Sequence, residues 1–123
     1  MSDTNPKAND PYFLCRSKCR TLCVYLGSLT KNMPKYEKYV LSSKIREVGY
    51  TLMELAVASH LKFNKKTDLT KLNINKELLK DYLQVSLDTG YIDLAKYRHS
   101  MKLLNDVGKQ LVVLLAIEQK ADF

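Results

Sequence analysis

Four apolar stripes, three with residues alternately three and four apart and one broader, constrain this chain more than any other feature. Such spacing holds side chains on one face of an α-helix and does not fit the period of two of a half-buried strand. The first stripe is Tyr12, Cys15, Cys19, Leu22, Leu26, Leu29 and Met33. The second is Leu41, Ile45, Val48, Leu52, Leu55 and Ser59, with small residues at Gly49 and Ala56 that admit a close neighbour. The third is broader: Leu69, Leu72, Leu79, Tyr82, Val85 and Thr89, widened by Leu78, Leu83 and Leu87. The fourth runs through Leu94, Tyr97, Met101, Leu104, Gly108, Leu111 and Leu115.

Punctuation residues set the boundaries. Pro11 and Pro34 suit first helical turns, where a missing N–H costs little. The polar stretch Lys62–Thr67 reads as a loop. Gly90 stands where a left-handed C-terminal residue is needed, and Asp93 is a good N-cap. The spacing therefore predicts helices over roughly 11–32, 34–61, 68–89 and 93–119. Asn73 and Asn75 weaken the start of the third and predict a kink or a late start there. Residues 1–10 and 120–123 read as tails. With 46% apolar residues among 123, the chain can build one core. Short connections make the fold all-α: one antiparallel up-down-up-down four-helix bundle over 11–119.

The sequence gives little sign of catalysis. Cys15, Cys19 and Cys23 are spaced four apart, so a metal or redox site is conceivable. Yet the first two sit on the core stripe, and buried cysteine is ordinary packing. An odd number of cysteines argues for a reducing compartment. Neither His60 nor His99 has a glutamate three residues before it, so the di-metal carboxylate pattern is absent. Glycine is too scarce for a phosphate loop. No metal, cofactor, catalytic residue or small-molecule substrate is expected. The first ten residues lack an apolar signal core, and no apolar run nears the ~18 residues of a membrane span. The expected location is cytoplasmic.

Charge is more informative. Twenty Lys and Arg against thirteen Asp and Glu give +7, a balance that draws polyanions without choosing among them. Arg16 and Arg20 lie four apart on the first helix. Lys35, Lys38, Lys44 and Arg46 crowd the second. Arg98, Lys102 and Lys109 share a face of the fourth, with Asp106 the only acid nearby. Cations without paired acids suit phosphates better than intrahelical ion pairs. Arg16, Arg20, Lys44, Arg46, Arg98, Lys102 and Lys109 are the candidate contact residues. Tyr36 and Tyr39 among Lys35 and Lys38 suit base stacking, or equally the rim of a core. From Leu111 to Ile117 the last helix is apolar all round. One core covers only part of that circumference, so Val112, Val113, Leu114 and Ile117 are the expected oligomer or partner interface.

Met33-Pro34-Lys35-Tyr36-Glu37-Lys38-Tyr39, then Leu41, Ile45 and Arg46, resembles the second-helix start of the ribosomal-RNA intervening-sequence proteins, a four-helix-bundle family. Gly90-Tyr91-Ile92 and the run Leu103 to Leu111 are similar to the closing helix of a sister group. That group is the accessory variability determinant (Avd) proteins of diversity-generating retroelements. Two departures are visible. The Gly-Gly-Trp that often continues the last helix is here Val112-Val113-Leu114. The Asn-Ile-Ala-Glu-Gly-like end of helix 2 in intervening-sequence proteins is here Leu55-Ala56-Val57-Ala58-Ser59, which favours the Avd side. The resemblance implies a pentameric barrel of bundles and a non-catalytic homo-oligomer. It further implies partners: a reverse transcriptase, template RNA and cDNA. Three other readings fit the same residues: a protein–protein adaptor facing an acidic partner without direct nucleic-acid binding, an intervening-sequence bundle protein of unknown role, or a small bundle enzyme or metal protein resting on the cysteines.

Overall fold

The computed structural model describes residues 10–121. Within them, α1 spans Pro11–Lys31, α2 Leu41–Leu61, α3 Lys66–Asp88 and α4 Leu94–Ala121. A single 3-10 turn, Lys35–Glu37, lies between α1 and α2. Helix α1 packs beside α2 and α4, and α3 packs beside the same two. Neighbours run antiparallel. Tyr12 at the start of α1 reaches Glu118 near the end of α4, and Arg16 reaches His60 at the end of α2. Tyr97 early in α4 meets Gln84 late in α3. The described residues thus form an up-down-up-down four-helix bundle.

The α1 stripe is buried at every position, Tyr12 through Met33. Across from it, a methyl group at Gly49 of α2 would sit 3.0 Å from Leu26 Cδ1, so α2 approaches α1 closely there. The α3 and α4 seams keep Leu69, Leu72, Leu79, Leu104 and Leu111 of the expected stripes and differ at the other positions. In α3 the buried residues are Asp68, Leu69, Leu72, Leu79, Leu83 and Ser86, while Val85 and Thr89 face outward. In α4 they are Ser100, Leu104, Val107, Leu111 and Leu114, and Leu94 is exposed. Two serines take seam positions. Ser86 Oγ donates to Tyr82 O and Ser100 Oγ to Lys96 O, both at 2.8–2.9 Å. A hydroxyl bonded to its own helix is cheap to bury, so polar residues complete seams that an apolar count describes only in part.

The boundaries differ at three points. Asp10 is not tail: its side chain accepts from Tyr12 N at 2.9 Å and caps α1, with Pro11 at the first position as expected. The rest of the expected N-terminal tail lies outside the described residues. Helix α2 begins at Leu41, not Pro34, because Tyr36, Tyr39 and Val40 are exposed and give a continuous helix nothing to bury. Helix α3 starts at Lys66, before the expected start, and runs uninterrupted through Asn73 and Asn75; Asn75 Nδ2 donates to Lys71 O at 2.9 Å. Gly90 takes φ 78° at the end of α3, and Asp93 Oδ1 accepts from Lys96 N at 2.8 Å to open α4. Helix α4 continues through Lys120 and Ala121, two residues of the expected C-terminal tail.

Candidate nucleic-acid interface

Cys15 and Cys19 are buried, and Cys23 is half-buried beside them. The Cys15 contact and burial both push the Cys19 thiol up, burial raises Cys23, and the same contact with Cys19 lowers Cys15. Cys19 and Cys23, held protonated, are poor metal ligands and poor nucleophiles. Among the described residues no three metal-ligating side chains converge. Nor is any helix there long and apolar enough to cross a membrane.

Six of the seven candidate cations fall into three separate places. Arg16 and Arg20 border a groove of about 350 Å³ with Met53, Glu54, Val57 and Ala58 of α2. Arg16 is already engaged: its Nη1 donates to His60 Nδ1 at 3.1 Å. An arginine only donates, so Nδ1 carries no proton. His60 Nε2 therefore holds it and donates to Asp10 Oδ2 at 3.2 Å. This chain of bonds fixes Arg16 against the bundle and leaves Arg20, which is exposed, the freer of the two. On α4, Arg98, Lys102 and Lys109 line a shallow depression of about 370 Å³ with Tyr97, Asn105 and Asp106. The spacing puts them on one outward face, as the sequence suggested.

The third place is where α1 passes into α2. Arg46 lines a pocket of about 390 Å³ there with Lys31, Lys35, Lys38 and Tyr50. Its Nε leans on Ser42 O at 3.4 Å. Lys44, the remaining candidate, is exposed but lines none of these three depressions. Lys31 and Tyr50 were not among the candidates. Reading 34–61 as one helix scatters these cations over several faces. The break after Pro34 gathers them, and a proline followed by exposed aromatics was the available signal.

The apolar end of α4 divides in two. Leu114 is fully buried with Leu111, so the expectation that it belongs to an interface is corrected: it is core. Val112, Val113 and Ile117 are exposed, at 68%, 43% and 39%. Helical spacing explains the split, since 114 is three residues on from 111 and points the same way.

The described residues define a class by their architecture: an all-helical four-helix bundle whose surface carries three cation-lined depressions. The particular family follows from comparison. The bAvd-like family matches residues 13–117, nearly the whole bundle, and the chain belongs to that family. No curated protein matches the chain. Membership suggests an accessory protein of a diversity-generating retroelement, from a family that is accessory and not catalytic.

Proposed function

We infer that the chain supports mutagenic reverse transcription by holding template RNA or its cDNA hybrid and the element's reverse transcriptase on its basic faces. Membership in the bAvd-like family over residues 13–117 carries this reading. The separated faces on α1, α2 and α4 support it further. Phosphate contacts made by Arg20, Arg46, Arg98, Lys102 and Lys109 fix a nucleic acid without reading its sequence. The polymerase does the chemistry. The exposed strip Val112, Val113 and Ile117 of α4 serves contact between copies in a pentameric barrel.

Capture of the element's reverse transcriptase and template RNA on immobilised protein tests the reading. Wild type retains both, and a variant with Arg98, Lys102 and Lys109 changed to Glu retains at least one of them poorly while keeping its helical signal. Retention of the polymerase alone, indifferent to every basic face, would favour a plain protein–protein adaptor.

A further inference from the structure

The pocket at the passage from α1 to α2 combines features the other two depressions lack. Its volume of about 390 Å³ is in the range of small-molecule sites. Lys31, Lys35, Lys38 and Arg46 border it, and no carboxylate is among its lining residues. None of these four cations forms an ion pair with a carboxylate among the described residues. The nearby acids are occupied elsewhere: Glu37 stands beside Tyr91 and Tyr36, and Glu47 accepts from Ser43 Oγ at 3.2 Å. Four uncompensated cations around one concavity favour an anion with several oxygens.

The walls are not only charged. Met33 and Pro34 supply apolar surface, and Tyr50 lies one turn beyond Arg46 on the same face of α2 with 54% exposure. Thr30 and Ser42 also line the pocket, but their hydroxyls are taken. Thr30 Oγ1 donates to Leu26 O at 2.9 Å and Ser42 Oγ to Met33 Sδ at 3.4 Å. Recognition there rests on cations and a ring, the combination that binds phosphate and base without reading base edges. Gly27 opens the floor, because a methyl group added there meets nothing within 4 Å.

We propose that this pocket holds one nucleotide, its phosphate on Arg46 and the neighbouring lysines and its base on Tyr50. The ligand is either a unit of a single strand or a free nucleotide. The strand form rests on the function proposed above; the pocket chemistry needs only a phosphorylated nucleoside.

The test uses the full chain, a fluorescein-labelled single-stranded RNA octamer, uridine 5′-monophosphate and inorganic phosphate. Gly27→Leu fills the floor without changing charge and, as a helical glycine replaced by a better helix former, keeps the fold. It weakens octamer binding about tenfold, as does Tyr50→Ala, whereas Tyr50→Phe binds like wild type. Arg98→Glu on α4 has the smaller effect. In amide NMR spectra the monophosphate shifts Gly27 and Tyr50 more than inorganic phosphate does, and Gly27→Leu removes the difference. The monophosphate arm identifies a free nucleotide as a ligand; octamer binding alone, with the same variant pattern, identifies a strand unit. Octamer binding abolished in Arg98→Glu but intact in Gly27→Leu overturns the pocket and leaves the basic-face reading standing. Monophosphate binding that Gly27→Leu abolishes, in a protein that holds neither RNA nor polymerase, keeps the pocket and removes that reading.

Discussion

At the scale of residues, the lower end of the bundle is tied by a polar chain that crosses three helices. Tyr12 Oη donates to Glu118 Oε2 at 2.6 Å, a short charge-assisted bond. The Tyr12 ring stacks on His60, and Lys65 Nζ sits 4.5 Å above it. Burial, then the bond to Glu118, pushes the Tyr12 hydroxyl above its ordinary value of 10.0. The folded state therefore keeps a proton that the unfolded chain loses. This stabilisation is complete below pH 10 and disappears as pH rises from there toward the folded value. Tyr12→Phe should lower stability by about 1 kcal/mol at neutral pH and flatten the decline above pH 10, measured by urea unfolding. The Tyr12 and cysteine positions were legible from spacing alone. The His60 bridge was not, because Asp10 and Arg16 come from α1 and its cap, far away in sequence, and no local pattern marks such a meeting.

At the scale of elements, α4 shows what a stripe can and cannot say. Its existence and length follow from 3-4 spacing, but its buried face only in part, at Leu104 and Leu111. Self-bonded Ser100 sits in the seam, and Leu94 lies outside it. Leu114→Ala should cost about 2–5 kcal/mol, the range for a leucine removed from a packed core. Val113→Asp, one residue earlier, should leave the melting transition nearly unchanged. If the strip serves assembly, that variant reduces the light-scattering mass toward the 14.2 kDa of one chain. A wild-type mass already at that value would remove the barrel. Helix α2 makes a related point. Pro34 does mark a boundary, yet propensity alone does not show that the six residues after it lack anything to bury.

At the scale of the molecule, the fold was legible and the arrangement of charge only half so. The outward face of Arg98, Lys102 and Lys109 was visible on one helix. The convergence of Lys31, Lys35, Lys38 and Arg46 depends on a break between helices and emerges only once the chain turns. A net charge of +7 now divides into faces with different company: Arg16 held by His60, Arg46 in a pocket, the α4 cations in the open. Nucleic-acid holding by those faces is the central claim. The most direct measurement is the affinity for single-stranded RNA over a range of salt concentrations. Phosphate neutralisation requires log K to fall linearly with log salt, by roughly 0.7 for each phosphate neutralised on a single strand. Changing Arg98, Lys102 and Lys109 to Glu should weaken binding and make that slope shallower by roughly the same amount for each phosphate these side chains neutralise. No binding at low salt, or an affinity and slope untouched by these changes and by Arg46→Glu, would contradict it.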